Sequence, residues 1–175
     1  MGSKRDCPLE VWTHPGLEVR PSPVDGHGLF ATAAIDADVV VIRLGGQLVS
    51  TSELHQLFAD APSGHYVDTF AIGDDLHIVL PTGTVVHYGN HHCDPTMWPI
   101  DTYQLATRRA VSADEELTVD YGLISDDPTF RMECTCGAAT CRGVITGEDW
   151  QIPELRERYA GHWPAELQHR VEGAT

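Results

Sequence analysis

Apolar residues along this chain fall mostly in short runs separated by Pro, Asp and Gly, a pattern typical of short β-strands joined by tight turns. The clearest strand candidate runs from Val39 to Ile42. The runs TVVHY, TYQLATRRAV and ELTVDYG provide three more candidates. In the last run Leu117, Val119 and Tyr121 alternate on one face, which places Tyr121 where the strand ends. The pattern therefore predicts a mostly β protein.

One segment has the pattern of a β-hairpin. In VDTFAIGDDLHIVL, apolar residues alternate with other residues over 70–72 and again over 76–80. Between these runs stands Gly73-Asp74-Asp75, a sequence that favours a tight turn. We therefore expect two antiparallel strands on either side of this turn.

Helical signals are few and short. Ser50 and Glu53 form the pattern of a capping box before LHQLF, which predicts a helix near residues 51–59. After residue 147, PELRERY and PAELQHRV each begin with a proline, a residue that suits the first turn of a helix. These segments predict two short C-terminal helices with a break near Gly161.

Length and charge narrow the class of protein. The chain has 175 residues, enough for one domain with a hydrophobic core. Its 11 basic and 26 acidic side chains give a formal charge of -15, which disfavours nucleic acid as a partner and favours a cationic peptide or protein. No run of about 18 apolar residues and no signal-peptide pattern occurs, so the sequence predicts a cytoplasmic protein without membrane contact.

Cysteines form one tight group and two single positions. Cys134, Cys136 and Cys141 stand within eight residues, and three thiols so close together are typical of a zinc site that needs a fourth ligand. Cys93 is the most economical fourth ligand, and His92 is the alternative. The competing interpretation is a set of ordinary free thiols in a reducing compartment. Cys7 is left outside this pattern.

Four segments together resemble a known family. DGHGLF, GNHHCDP, EELTVDYG and CTCGAATCRGVI resemble, in order and approximate spacing, the signature segments of SET-domain methyltransferases with a cysteine-rich post-SET module. The resemblance covers roughly residues 17–146. It implies a SET domain, a mostly β, β-clip-like fold of several small sheets around a pseudoknot, with a post-SET zinc loop and short C-terminal helices. The predicted division is an N-terminal arm at 1–16, a SET domain at 17–123, a zinc-binding loop at 124–146 and a helical tail at 147–175.

The resemblance also implies roles for individual residues. Tyr121 matches the catalytic tyrosine. Cys93 matches the cysteine that joins Cys134, Cys136 and Cys141 around a structural zinc ion. Trp150 could close over the adenine of the methyl donor S-adenosylmethionine, or it could be a core anchor for the last helices. The remaining positions matched to binding of S-adenosylmethionine are Gly26, His27, Gly28, Asn90, His91 and Tyr121 itself.

Two of the departures from the family pattern concern the channel for the substrate amine. The run Arg43-Leu44-Gly45-Gly46-Gln47 follows the strand candidate at Val39 to Ile42. Many relatives have there a tyrosine that lines the channel through which the substrate amine enters. Val119 stands two residues before Tyr121, where relatives often have Phe or Tyr. We therefore expect a wider or less polar channel than usual.

The function that the resemblance implies is methyl transfer from S-adenosylmethionine to a lysine ε-amine of a basic protein or peptide. A second hypothesis keeps the chemistry but has a small amine or amino acid as substrate, because only about ten residues separate the short helix from the hairpin. A third is a zinc-stabilised module that binds partners without turnover. The Asn90, His91 and Tyr121 side chains argue against this third hypothesis.

Overall fold

Short antiparallel strands account for most of the regular structure. The computed structural model describes residues 7–63, 67–73 and 75–173. The strands in chain order are β1 (Trp12–Thr13), β2 (Leu17–Pro21), β3 (His27–Ala31), β4 (Val40–Arg43), β5 (Gln47–Val49), β6 (Thr69–Gly73), β7 (Leu76–Val79), β8 (Met97–Pro99), β9 (Gln104–Thr107), β10 (Glu116–Leu117), β11 (Arg131–Glu133) and β12 (Val144–Thr146).

Three α-helices accompany the strands. They are α1 (Thr51–Asp60), α2 (Pro153–Arg158) and α3 (Ala165–Gly173), and 3₁₀ turns cover Val85–Tyr88, Tyr121–Leu123 and Asp149–Gln151. Helix α1 begins with the expected capping box: the Ser50 hydroxyl accepts from the Glu53 backbone N–H, and the Glu53 carboxylate accepts from the Ser50 backbone N–H. Gly161 has φ of +81°, so the chain turns sharply between α2 and α3. None of the helices in the described ranges is long and apolar enough to cross a membrane.

The strands form four small sheets. Their strand orders are β1-β4-β9-β8, β10-β3-β2, β5-β7-β6 and β11-β12. Every pair within the sheets is antiparallel. The mostly β fold with short C-terminal helices is thus confirmed. The predicted hairpin is also present as β6 and β7, although Asp74 of its turn lies outside the described residues.

The main hydrophobic core lies between these sheets. It contains fully buried side chains from several strands, among them Leu29, Ile42, Ile78, Leu105 and Leu117. A second cluster forms where Tyr159, Trp163 and Leu167 of the C-terminal segment pack on Leu123. The C-terminal helices therefore pack behind the 3₁₀ turn that begins at Tyr121.

The TVVHY strand prediction was wrong. Residues Val85–Tyr88 form a 3₁₀ turn in which Val86 is buried in the core, and the Gly89 N–H donates to the Val86 carbonyl at 2.9 Å. No neighbouring strand pairs with this segment within the described residues. The β-branched valines favour a strand only where a sheet edge is there to pair with them, and tertiary packing decides otherwise here.

The ELTVDYG strand prediction was correct only in part. Strand β10 ends at Leu117, and Val119 instead forms an isolated parallel bridge with His91. Tyr121 then begins the 3₁₀ turn. The strand stops early because its continuation pairs with the chain around His91 rather than with β3.

Candidate active site

The segment from Asn90 to Cys93 lies directly beside the chain that leads to Tyr121. The Val119 N–H donates to the Asn90 carbonyl at 3.0 Å, and the His92 N–H donates to the Val119 carbonyl at 3.1 Å. This pairing brings together two of the predicted motifs, which are about 30 residues apart in sequence. Two family signature segments therefore meet in one place.

The glycine loop meets the same segment through Asn90. The Asn90 side-chain amide donates to the carbonyls of Asp25 at 3.1 Å and His27 at 3.0 Å. Gly26 has φ of +43°, a left-handed conformation that glycine adopts without strain. A Cβ atom on Gly28 would lie 2.0 Å from a Glu116 carboxylate oxygen, so a larger residue there would have to displace the Glu116 side chain. The loop thus places backbone carbonyls directly beside the Asn90 side chain.

Tyr121 lies where the paired segments meet. Its hydroxyl donates to the Gly89 carbonyl at 3.0 Å, and its backbone N–H donates to Nδ1 of His91 at 3.1 Å. The phenol ring lies 5.3 Å from the His91 ring, measured between centroids. Tyr121 is therefore held at both its backbone and its hydroxyl by the Gly89–His91 segment.

His91 is a buried, neutral histidine. Burial lowers its pKa to about 4, although the nearby Asp120 carboxylate acts in the opposite direction. Because Nδ1 accepts the Tyr121 N–H, the hydrogen-bond network assigns the ring proton to Nε2, which lies 3.3 Å from Sγ of Cys93. His91 therefore connects the backbone of Tyr121 to the cysteine cluster.

A buried charge network supports this arrangement from behind, and sequence analysis missed it. The Asp120 carboxylate has no solvent exposure, and it accepts two hydrogen bonds from Arg142, at 2.6 and 2.8 Å. The Tyr159 hydroxyl donates to the same carboxylate at 2.8 Å. Arg142 also donates to Asp149 at 3.0 Å. The only sequence signal for this network is Asp120, an acidic residue beside Tyr121 at the end of the predicted ELTVDYG strand.

Tyr121 also lines a cavity of about 430 Å³. Its wall includes the aromatic rings of Phe58, Phe70 and Phe130. The sequence suggested a wider or less polar channel, because Val119 and the 43–47 run stand where relatives often have aromatic residues. The structure supplies these rings from α1, β6 and the segment before β11 instead.

Three aspartates also line this cavity, each close to a basic side chain. Asp68 lies 3.0 Å from His87, and Asp127 lies 3.3 Å from His55. Asp126 lies 3.5 Å from Arg170 of α3. The cavity thus combines apolar rings with carboxylates, a composition suited to an organic cation.

The four predicted zinc-ligand cysteines lie together. Their sulfur atoms all lie within 4.8 Å of one another, and Cys134 Sγ lies 3.9 Å from that of Cys93 and 3.8 Å from that of Cys141. Thiolates bound tetrahedrally to zinc at about 2.3 Å would be about 3.8 Å apart. The donor set therefore fits a four-thiolate zinc site. His92 is not in this group, since its Nδ1 lies 2.8 Å from the Asp94 carbonyl.

The protein environment differs among these thiols. Burial raises the pKa of Cys134 to about 11 and also raises that of Cys93. The Gly143 backbone N–H lowers the pKa of Cys141 to about 7. Metal binding requires thiolates, so the lowered pKa of Cys141 favours its role as a ligand.

Trp150 lies among the C-terminal helices. It is half-buried and packs against the cluster around Leu123 and Tyr159. The Arg156 guanidinium lies 5.9 Å from the centre of its ring. These contacts are those of a packing residue, and the alternative role over an adenine stays a prediction.

Comparison with known proteins places the chain among SET-domain proteins. A family model described as the SET domain matches residues 26–122. The Drosophila melanogaster protein named histone-lysine N-methyltransferase ash1 is 27% identical over 81% of this chain, which spans 7% of that protein's length. A Cryptococcus neoformans histone-lysine N-methyltransferase, H3 lysine-4 specific, is 30% identical over 74% of this chain and 10% of its own length.

The solved structures agree in fold. The methyltransferase domain of human histone-lysine N-methyltransferase SETMAR matches with a TM-score of 0.62 and 21% sequence identity, over 77% of this chain and 58% of that one. The present chain spans about a tenth or less of the two curated relatives described. The match of the SET-domain model to more than half of the chain, together with the shared architecture, shows that this protein belongs to the SET-domain family.

Proposed function

We propose that this protein is an S-adenosylmethionine-dependent N-methyltransferase that acts on a lysine ε-amine of a basic protein or peptide. The observation that carries the proposal is that Tyr121 belongs to two neighbouring features. Its backbone and hydroxyl contact the Gly89–His91 segment, where Asn90 meets the glycine loop, and Tyr121 also lines the cavity with its aromatic and acidic wall. A methyl donor and an amine approaching from opposite sides would meet beside the Tyr121 hydroxyl.

S-adenosylmethionine, when bound, supplies a methyl group on a positively charged sulfur. The amine nitrogen forms a bond to the methyl carbon as the carbon–sulfur bond breaks, and that bond's electron pair remains on sulfur. The protein's contribution is alignment and exclusion of water. The Gly89 carbonyl and Tyr121 hydroxyl, 3.0 Å apart, are the polar groups at this junction that can orient the amine.

The amine must lose its proton before it can react. With a reference pKa of about 10.4, the ammonium form of lysine dominates at neutral pH. The apolar rings of the cavity disfavour that charged form near Tyr121. The released proton passes to solvent through the open side of the cavity.

Charge supports a basic substrate. The formal charge of the chain is -15, and three aspartates lie in the cavity wall. Such a surface attracts a cationic peptide over distances of about a Debye length, about 8 to 10 Å in physiological salt. The named activities of the similar proteins, which are histone-lysine N-methyltransferases, agree with this substrate class.

The proposal includes a structural zinc ion held by Cys93, Cys134, Cys136 and Cys141. Sulfur separations near those of tetrahedral coordination support it. It also includes a cytoplasmic location, for which the support is a set of free cysteines suited to a reducing compartment.

A small amine or amino acid is the second candidate substrate. A cavity of about 430 Å³ lies within the range of pockets that enclose small ligands, about 300–1,000 Å³. This volume favours the candidate because it exceeds what a single extended side chain requires.

Isotope labelling tests the proposal and separates the two substrates. Wild-type protein is incubated with methyl-labelled S-adenosylmethionine and cell lysate, and label is located by mass spectrometry of peptides and metabolites. We expect methyl-lysine in peptides. Label only in metabolites would favour the small amine, and label in neither fraction despite cofactor binding would favour the binding module without turnover.

Tyr121→Phe is the decisive variant. The variant should bind S-adenosylhomocysteine, the methyl donor without its methyl group, as wild type does. Its turnover should fall about 10²- to 10³-fold, because the substitution removes one oriented polar group from the reacting site. Tyr103→Phe is the matched control, since Tyr103 packs on the main core and does not line the cavity. Equal turnover in wild type and Tyr121→Phe would remove Tyr121 from the catalytic role.

A further inference from the structure

The turn that begins with Tyr121 is capped by the residue before it. Asp120 is the N-cap of the 3₁₀ turn Tyr121–Leu123, and its Oδ1 atom accepts from the Gly122 backbone N–H at 3.0 Å. The same oxygen accepts from Arg142 at 2.6 Å. Because a carboxylate is planar, a donor that holds its second oxygen also fixes the first oxygen. The direction in which the turn starts therefore depends on what holds the Asp120 carboxylate.

The second oxygen of Asp120 is held by the C-terminal segment. Oδ2 accepts from the Tyr159 hydroxyl at 2.8 Å and from Arg142 at 2.8 Å. Asp120 and Tyr159 are both fully buried, so bulk water does not compete for this contact. Burial, together with the Asp120 charge, raises the pKa of Tyr159. The Tyr159 hydroxyl therefore stays protonated and acts as the donor.

Tyr159 is also near the other end of the turn. Its ring belongs to the buried cluster that contains Leu123, the last residue of the turn, and Trp163. The middle of the turn packs closely as well, since a Cβ atom added to Gly122 would lie 3.0 Å from that of Asp149. One side chain of the C-terminal segment thus bonds to the cap of the turn and shares a buried cluster with its last residue.

We propose that Tyr159 is a positioning residue for methyl transfer, which holds the Asp120 cap and thereby directs the phenol of Tyr121. This inference rests on the proposed function, because it assumes that the Tyr121 hydroxyl acts in the transfer. Tyr159 does not line the cavity, so it acts through Tyr121 and not on the substrate. A displacement of about 1 Å at a reacting group can cost about 10²-fold in rate, so the direction of the turn affects turnover.

Tyr159→Phe tests the proposal, because it keeps the buried ring and removes only the hydroxyl. With the substrate found by isotope labelling, kcat should fall about 10-fold, the lower end of the range for a lost hydrogen bond to a charged group. KM and the affinity for S-adenosylhomocysteine should stay at their wild-type values, since Tyr159 is outside the cavity wall. An unchanged kcat would overturn the proposal.

Trp163→Phe is the matched control. It removes packing from the same buried cluster, and the indole N–H of Trp163 has no acceptor among the described residues. This variant should lower the Tm by an amount similar to that of Tyr159→Phe and keep the wild-type kcat. Equal losses of kcat in the two variants would show that Tyr159 acts only through general stability.

A double variant tests whether Tyr159 acts through Tyr121. Groups that act as one unit have non-additive effects, so Tyr121→Phe combined with Tyr159→Phe should be no slower than Tyr121→Phe alone. A further 10-fold loss in the double variant, of about the size found for Tyr159→Phe by itself, would contradict the proposal.

Nuclear magnetic resonance follows the Tyr121 ring without turnover. The chain has five tyrosines, and the signal of Tyr121 in protein with isotope-labelled tyrosine is the one that Tyr121→Phe lacks. In Tyr159→Phe this signal should shift or broaden, because the phenol samples more than one orientation, whereas Trp163→Phe should leave it in place. An unmoved signal in Tyr159→Phe would overturn the positioning role. A moved signal together with a wild type that lacks turnover would instead contradict the proposed function.

Discussion

At the scale of single residues, the predicted catalytic tyrosine depends on a buried neighbour. Asp120 is fully buried, directly precedes Tyr121 and accepts hydrogen bonds from Arg142 and Tyr159. A buried charge is costly unless it is paired and hydrogen-bonded. The Arg142–Asp120 pair therefore stabilises the backbone at Tyr121 and, through Tyr159, ties it to the C-terminal helices.

Arg142→Met should destabilise the protein by about 3–5 kcal/mol, because it leaves the Asp120 carboxylate buried without its cation. The free energy of unfolding from urea titration measures the effect. Arg20→Met is the control: Arg20 lies 2.6 Å from Asp114, whose side chain is 76% exposed, and loss of an exposed pair costs about 0–1 kcal/mol. Similar losses of unfolding free energy in both variants would show that the buried Arg142–Asp120 pair contributes no more than an exposed ion pair.

At the scale of elements, helix α1 forms one wall of the cavity. Leu54, His55 and Phe58 of this helix line the cavity, and its first turn is fixed by the Ser50–Glu53 capping box. The Thr51 hydroxyl lies 2.9 Å from Nε2 of His77 on β7, which joins the helix to the hairpin. The position of the cavity wall thus depends on contacts at the beginning of α1.

Ser50→Ala should lower the free energy of unfolding by about 0.5–2 kcal/mol, since it removes the N-cap acceptor. If α1 forms part of the substrate site, the variant should also raise KM for the amine substrate more than it changes the affinity for S-adenosylhomocysteine. Gln56→Ala, at an exposed position of the same helix outside the capping box, serves as control. An unchanged KM together with the stability loss would remove the beginning of α1 from substrate binding.

His77 predicts a pH dependence of stability. Burial lowers the pKa of its ring below its ordinary value, so the unfolded chain binds a proton at His77 more readily than the folded protein does. The free energy of unfolding should therefore fall as pH decreases below about 6.5, the ordinary pKa of histidine.

Urea titrations between pH 7.5 and pH 5, from about one unit above to about one and a half units below that ordinary pKa, measure this slope in wild type and in His77→Asn. The variant should show a shallower fall. His169→Asn, at an exposed position on α3, should keep the wild-type slope. An unchanged slope in His77→Asn would show that His77 does not contribute to the loss of stability in acid.

At the scale of the whole molecule, the cysteine cluster joins the active-site segment to the C-terminal part. Cys93 follows His91 by two residues, while the other three thiols lie between β11 and β12. The Arg158 guanidinium of α2 donates to the Cys93 carbonyl at 3.0 Å. A metal at this cluster would therefore cross-link segments that surround Tyr121.

The purified protein should contain about one equivalent of zinc, and Cys134→Ser should lose it. Because structural zinc contributes on the order of 10 kcal/mol in small modules, the variant and the chelated wild type should both show a lowered Tm and weaker cofactor binding. Metal analysis and thermal denaturation measure these effects. Cys7→Ser, which alters a thiol outside the cluster, should change neither, and wild type without zinc would rule out the four-thiolate site.

Local patterns were sufficient for elements whose stabilising contacts are close in sequence. The capping box of α1, the hairpin of β6 and β7, and the prolines that open the C-terminal helices all act within a few residues. The motifs also indicated the family, which the comparisons confirmed. Failures came where a distant partner decides the structure. TVVHY has no neighbouring strand among the described residues, and Val119 pairs with His91.

The sequence by itself determined the residue types of the site, because glycine, asparagine, histidine, tyrosine and four cysteines each offer chemistry that few other side chains provide. Only the tertiary structure decided which groups surround them: the Asp120–Arg142 pair, the carboxylate of Glu116 beside Asn90, and the aromatic wall of the cavity. The reason is physical. Burial, pairing of charges and the shape of a cavity depend on segments far apart in the chain, and no local pattern encodes their distance.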